Sequence, residues 1–248
     1  MKLTVVGCSG SFPGPDSTAS CYLVEHDGCA ILLDLGNGSL GSLARFIDIY
    51  SVAAVVCSHL HIDHCADLCS YYVALRYRPD HVAQRVPVWG PPGIAGRMAA
   101  MYDLPEQPGM KAEFDFQELG SGPIQIGPFV ITSTLVRHAV DNYALRVEAG
   151  DRTLVYSGDT GPCPELITAA AGADIALFEA SFLEGNDNPC CMHLTGAEAA
   201  RAAAAANVGR LVLTHLVPWN DSRRVLAEAV AAWPGETVLA RTGMTLEV

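Results

Sequence analysis

Strands and helices alternating along an unbroken chain of 248 residues predict an α/β protein in which helices cover stacked sheets. Three observations carry that expectation. Half the residues are hydrophobic and 17% are charged, the composition of a packed globule rather than a disordered chain. Apolar runs of strand length end repeatedly in Gly, Asp or Asn, and stretches with helical spacing lie between them. Core burial improves with length up to about 250 residues, so one domain spanning 1–248 is expected.

Taken in order, KLTVVG (2–7) reads as the first strand, and CYLVEHDGCAILLDLG (21–36) as two more, turning at Asp27-Gly28 and ending before Gly36-Asn37-Gly38. GSLARFIDIY (41–50) has helical spacing, VAAVVCS (52–58) is a continuous apolar strand, and CADLCSYYVALRY (65–77) is helical up to the break at Pro79. VPVWGP returns to strand, GIAGRMAAMYDL to helix, and MKAEFDFQEL and FVITSTLVRH are strands around a Gly/Pro-rich corner at 120–123. YALRVEAG and DRTLVYSGD form a hairpin about Gly150-Asp151, followed by the short helix PELITAAAG and the strand ADIALFEAS. TGAEAARAAAAANVG carries a capping box, Thr195-x-x-Glu198, and an Asn-x-Gly stop. RLVLTH is a strand, SRRVLAEAVAAW a helix and TVLARTGMTLEV a final strand pair. The sum is about a dozen strands and five or six helices.

Charge and cysteine usage narrow the setting. The chain carries 15 basic and 27 acidic residues, net −12, which repels a long phosphate backbone and disfavours large nucleic acids as partners. No apolar run reaches the ~18 residues of a membrane span, and VVGC at 5–8 lies too near the first residue to follow a leader. Nine irregularly spaced cysteines, including the neighbours Cys190 and Cys191, form no CxxC pair. They read mostly as small core hydrophobes in a reducing, cytoplasmic setting.

The chemistry concentrates in SHLHIDHCADL (58–68), directly behind the apolar run VAAVV. In extended backbone successive side chains alternate faces, so His59 and His61 converge while Leu60 and Ile62 point back into protein. Asp63 and His64, at the turn into the following helix, aim elsewhere. Two metals ~3.5–4 Å apart can use all four groups where one cannot. Further ligands must come from other strand ends, and three are placed for it: His138 after FVITSTLVR, Asp159 after TLVYSG and His215 after RLVLT. Asp159 is the natural bridge, because a carboxylate can give one oxygen to each ion. Of the eight histidines, His26 and His81 fall in turn-like polar segments and read as surface residues.

HLHIDH at 59–64, His138, SGDTG around Asp159, LTH ending at His215 and LLDLG around Asp34 together resemble the ordered metal motifs of the metallo-β-lactamase superfamily, over nearly the whole chain. That resemblance implies a four-layer αβ/βα sandwich, two mixed β-sheets packed face to face with helices outside. It implies one divalent ion held by His59, His61 and His138, a second by Asp63, His64 and His215, and Asp159 between them. Zinc is the implied metal, with manganese the alternative. Asp34 becomes a residue that supports the ligands, although it also reads as a turn former before Gly36.

The branch of the superfamily follows from further residues. Two ions sharing a water make hydroxide available at neutral pH and neutralise developing charge, which bounds the chemistry to hydrolysis. His193, in CMHLTGAEAA, resembles the extra histidine that tRNA 3′-processing and related phosphodiesterases use near the leaving group, and Glu179 in LFEASF the acidic residue that orients it. With Asp63, these two form the implied catalytic set. An iron-binding oxidoreductase branch has Glu where this chain has His61. The basic, Gly/Pro-rich arm of the tRNA nucleases is not evident. VVGCSGSFPGPDSTASCYL, SHLHIDHCADL, SGDTGPC, HLTGAEA and LTHLVPW look most like the bacterial atypical class II cyclic-nucleotide phosphodiesterases. The implied reaction is hydrolysis of a small cyclic phosphodiester such as cyclic AMP to the open monophosphate, by an enzyme whose relatives suggest a homodimer. Ser9, Gly10 and Ser11 could present N–H groups to that substrate, or form a tight turn after the first strand. Another small cyclic phosphate such as a cyclic ribose phosphate, a tRNA 3′-end nuclease, and a metal-binding interaction module without turnover are the competing expectations.

Overall fold

The structure is a computed structural model that describes every residue except His81, Ser121, Asp187 and Cys190. Among the described residues the strands fall into two seven-stranded sheets. The first comprises β1 (Lys2–Gly7), β2 (Cys21–His26), β3 (Cys29–Leu33), β4 (Ala54–Val56), β5 (Val86–Gly90), β6 (Phe114–Glu118) and β14 (Thr245–Glu247), in the order β14-β1-β2-β3-β4-β5-β6. The second comprises β7 (Ile124–Ile126), β8 (Phe129–Val136), β9 (Asn142–Ala149), β10 (Arg152–Tyr156), β11 (Ile175–Glu179), β12 (Arg210–Thr214) and β13 (Glu236–Leu239), in the order β13-β12-β11-β10-β9-β8-β7. Each sheet is antiparallel through its hairpin-connected strands and parallel from β3 to β6 and from β10 to β13.

Side-chain alternation explains why the sheets stack. Leu3, Val5, Tyr22, Val24, Ile31 and Leu33 from the first sheet meet Ile131, Leu145, Val147, Leu154, Tyr156 and Leu177 from the second in one buried layer. The opposite faces are apolar too, as parallel strands covered on both sides require. Over the first sheet lie α1 (Ser39–Leu43), α3 (Asp67–Arg76) and α4 (Ile94–Met101), whose Leu43, Leu68, Tyr71, Ile94 and Met98 pack on Leu23, Leu32, Val55 and Val88. Over the second lie α5 (Pro164–Ala169), α6 (Gly196–Ala206) and α7 (Ser222–Ala232). In α6 the buried face is almost all alanine, and the capping box from Thr195 and Glu198 closes both ways, which starts the helix at a fixed residue. The result is the expected helix–sheet–sheet–helix sandwich.

Several local expectations are corrected. Helical structure begins before residue 65, as the one-turn α2 (Ile62–Cys65), so Asp63 and His64 are helical residues rather than neighbours at a bend. The stretch 41–50 is divided between α1 and a 3₁₀ turn at Ile49–Ser51. β7 occupies a segment too short to announce itself beside the Gly/Pro corner. The final two strands are not a pair: β13 joins the second sheet while β14 crosses to β1 of the first, because Ala240 and Met244 bond to Leu213 and Val5 respectively. His26 is half-buried at the end of β2, partly open to solvent and facing the Phe129 ring; His81 lies outside the described residues. No helix is long and apolar enough to cross a membrane among the described residues.

Leu177 is fully buried between the sheets, so Leu177→Ala should cost about 2–5 kcal/mol. Thr195→Ala, which removes only the cap, should cost about 0.5–2 kcal/mol. Urea unfolding midpoints at constant slope would check both.

Candidate metal centre

The parallel strands leave their C-terminal ends on one edge of the sandwich, and there the polar residues gather. β4 ends at Val56 and leads through Ser58 into His59 and His61; β10 leads to Asp159, β11 ends in Glu179, and β12 leads to His215. β8 runs antiparallel to β9, which runs antiparallel to β10, so β8 delivers His138 to the same edge. The chain is bent sharply as it leaves two of these strands. Asp34 (φ 59) and His215 (φ 53) adopt left-handed backbone, an uncommon conformation for such residues that is held by the packing around them.

Seven side chains form two clusters that share one carboxylate. His59, His61, His138 and Asp159 offer ligand atoms within 4.8 Å of one another, as do Asp63, His64, Asp159 and His215. Asp159 directs Oδ2 at His59 Nε2 (3.6 Å) and Oδ1 at His64 Nε2 (3.3 Å) and His215 Nε2 (3.4 Å). In the first cluster His61 Nδ1 lies 3.0 Å from His59 Nε2 and 3.3 Å from His138 Nε2. One proton can serve only one of those two approaches. In the second, Asp63 Oδ2 lies 3.0 Å from His215 Nε2 and 3.4 Å from His64 Nε2.

Outer hydrogen bonds fix which ring nitrogen faces inward in four of the histidines. His64 Nδ1–H donates to Asp34 Oδ2 (2.7 Å), and His138 Nδ1–H to the Met192 carbonyl (2.9 Å). His59 Nδ1–H reaches Ser58 Oγ (3.1 Å), which donates onward to Asp34 Oδ2 (2.8 Å). His215 Nδ1–H reaches Ser181 Oγ (2.7 Å), which donates onward to Glu179 Oε2 (3.0 Å). Each arrangement directs Nε2 into the cluster, where it can take an ion once it carries no proton. Burial and the neighbouring His64 pull the His59 imidazole well below its ordinary value, and burial with His138 lowers His61, so both are neutral at pH 7. Burial also opposes charge on His64, but Asp159 and Asp34 outweigh it and hold that imidazole well above its usual range.

Burial tests whether cations fit here. Asp159 is 2% exposed and His64 fully buried, yet His64 Nε2 and Asp159 Oδ1 make no hydrogen bond despite their proximity. Orphaned donors and acceptors of this kind are costly inside a protein. A divalent ion coordinated by the four atoms of that cluster would satisfy both, and the nitrogen and carboxylate set suits a borderline metal. The residues therefore fit two ions.

The remaining expected residues lie around this centre. Asp34 is fully buried and accepts from Ser58 N (2.6 Å), Ser58 Oγ and Tyr156 OH (2.7 Å) as well as His64. Its left-handed backbone redirects the chain after β3. Glu179, also fully buried, accepts from Thr160 N (2.9 Å), Ser181 N (3.1 Å) and His193 Nδ1–H (2.8 Å). Burial lowers the His193 imidazole, but the Glu179 carboxylate, with Asp159 behind it, lifts it to about 9. In the Ser9–Ser11 loop, Ser11 N–H donates to Asp63 Oδ2 (2.9 Å), while Ser9 Oγ closes its own turn onto the Phe12 carbonyl. Gly10 passes so close to His215 that a Cβ would stand 2.5 Å from its carbonyl oxygen.

Sequence reasoning missed Ser58, Tyr156, Ser181 and Asn142. The first three are polar residues at the ends of apolar strands, a signal that was present; Asn142, whose side-chain amide donates to the Asp159 carbonyl, gave none.

A fold of this kind with a paired histidine–carboxylate centre at its edge defines a metal-dependent hydrolase. The chain matches the beta-lactamase superfamily domain over residues 30–216 and belongs to that superfamily. It is 40% identical to an uncharacterized protein of Mycobacterium leprae, across all of this chain and 89% of that one. The crystal structure of the metallo-beta-lactamase fold protein YhfI from Bacillus subtilis superposes with a TM-score of 0.89 at 28% identity, covering 99% of this chain and 98% of that one. A ribonuclease Z of Mycolicibacterium paratuberculosis is 30% identical over 88% of this chain and 86% of its own. Divalent metal ions are implied by the fold and by the two clusters.

Ser181→Ala breaks the hydrogen-bond path from His215 to Glu179 and should weaken divalent-metal retention about 10- to 100-fold. Competition with a chelator of known affinity would read this. Metal loading should also release protons, because His64 must give one up to coordinate; affinity therefore rises with pH. Calorimetric titration in buffers of different ionisation enthalpy would count them.

Proposed function

We propose that this hydrolase is a phosphodiesterase of small cyclic phosphates, acting on 3′,5′-cyclic nucleotides such as cyclic AMP to give the open 5′-monophosphate. The observation that carries the reading is the pairing of His193 with Glu179 beside Asp159. His59, His61 and His138 would hold one ion, Asp63, His64 and His215 the other, and Asp159 both, with zinc the expected metal. Bound there, the ions supply Lewis acidity toward phosphoryl oxygens and lower the pKa of water toward neutrality.

The chain's own groups supply the rest. His193 Nδ1–H is committed to Glu179, its ring is stacked on His215 with centroids 5.5 Å apart, and its side chain is 14% exposed. The other nitrogen, Nε2, is thus the one free to meet a substrate. An imidazole raised to about 9 is protonated at pH 7 and can give that proton to a departing ribose oxygen. An alkoxide is a poor leaving group, so the donor is worth most for a phosphodiester of this kind. Ser11 N–H steadies Asp63, and the buried Glu179 keeps its carboxylate for His193 and Ser181 rather than for an ion. The net charge of −12 favours a monoanionic substrate gripped at one phosphate over a polyanion. The ribonuclease Z relative supports the same bond type, and makes tRNA 3′-processing the second reading.

Metal-replete protein should contain about two divalent ions per chain by elemental analysis, and Asp159→Ala should lower occupancy of both sites; a clean value of one would sink the shared-carboxylate scheme. His193→Ala should keep the ions yet slow cyclic AMP hydrolysis by roughly 10²–10⁴-fold, with a far smaller loss on a nitrophenyl phosphodiester. Equal losses on both substrates would remove His193 from the acid role. Phosphodiester hydrolysis should depend weakly on salt. Fast cleavage of a tRNA precursor with steep salt dependence, and no turnover of cyclic AMP with zinc or manganese, would reverse the two readings.

A further inference from the structure

We infer that Phe12 and Trp219 form a stacking platform for the nucleobase of the substrate, at the Asp63 and His215 side of the metal centre. The inference rests on the nucleotide reading above and adds residues that neither the metal motifs nor the acid pair includes. Trp219 is 65% exposed and Phe12 44%, large apolar surfaces to leave in water. The two rings are nevertheless ordered against each other, with centroids 5.4 Å apart and planes inclined by 33°. They come from loops some two hundred residues apart in sequence, and each loop also carries a group of the site. Phe12 directly follows Ser11, whose N–H bonds Asp63, and Trp219 stands four residues after His215.

Backbone bonds hold the pair in place before any ligand arrives. Gly10 N–H donates to the Leu216 carbonyl (3.2 Å), and Leu216 N–H to that of Cys8 (2.9 Å), so the two loops that carry the rings are tied together. Asn220 Nδ2 anchors the second loop to the Ser181 carbonyl (2.8 Å). A rigid aromatic face loses little entropy when it binds. The loops 8–20 and 216–222 contain no lysine or arginine, so beside a phosphate held by metal they offer an aromatic face rather than a second cationic grip. Every nucleobase presents such a face, and stacking is tolerant of which base it is. The chemistry points to a platform that binds bases without selecting strongly among them.

The test uses metal-loaded protein and two substrates, cyclic AMP and the methyl riboside 3′,5′-cyclic phosphate, which keeps the reacting ring and lacks the base. In Trp219→Ala and in Phe12→Ala the ratio of kcat/KM for cyclic AMP to that for the base-free substrate should fall about 5- to 150-fold, the usual worth of a base–aromatic stack. The fall should lie chiefly in KM, and Trp219→Phe should restore most of it. An unchanged ratio in both alanine variants would overturn the platform. A binding arm separates this outcome from failure of the nucleotide reading. 5′-AMP should bind wild-type protein more tightly than ribose 5-phosphate and quench tryptophan fluorescence, and both effects should vanish in Trp219→Ala, in which Trp89 and Trp233 remain as references. Wild-type protein that turns over no cyclic nucleotide but shows this preference would sink the reaction and leave the platform standing. Equal binding of the two monophosphates overturns the platform whatever the activity.

Discussion

The carboxylate of Asp159 is the group on which this molecule turns. It is almost completely buried, and a buried anion without compensation is among the most costly things a fold can contain. It is tolerated because its oxygens face opposite ways, one toward His59 and the other toward His64 and His215, all within 3.3–3.6 Å. His59 and His64 follow β4 of the first sheet, and His215 follows β12 of the second. To satisfy one carboxylate, the ends of β4, β10 and β12 must therefore meet at a single point, and the register of both sheets is constrained accordingly.

The two sheets contribute comparable halves of the centre. Asp34, His59, His61, Asp63 and His64 come from the first, and His138, Asp159, Glu179, His193 and His215 from the second. Each half also has its own buried carboxylate behind the ligands. Asp34 collects Ser58, Tyr156 and His64; Glu179 collects Thr160, Ser181 and His193. In both, a serine hydroxyl relays the carboxylate's pull to a further histidine, Ser58 to His59 and Ser181 to His215. Each of the two clusters draws groups from both sheets, so folding and metal binding are linked through the packing of sheet on sheet.

Glu179 ties two functions to one side chain. One oxygen holds His193 and the other, through Ser181, orients His215. The His193 and His215 rings are thereby set at a fixed separation, as the proposed acid and metal-facing roles of the two would require. The Phe12–Trp219 pair stands on two loops that are bonded to each other, one carrying Ser11 and the other following His215.

The sequence by itself determined the layered α/β architecture, the metal-rich segment 58–68, and the strand ends at which His138, Asp159 and His215 emerge, because period-two hydrophobicity and the residue types at its breaks are local properties. It also marked Thr195–Glu198 as a helix start, a purely short-range device. Tertiary structure alone decided the rest. That β13 and β14 part to different sheets depends on bonds to Leu213 and Val5, far away in the chain. That His59, His64, His138 and His215 turn Nε2 inward depends on which carbonyl, serine or carboxylate lies behind each ring. Asn142 and the meeting of Phe12 with Trp219 left no mark in any short window of residues. Periodicity tells a segment which face to bury; which distant groups then share that buried space is settled only when the two sheets close on each other.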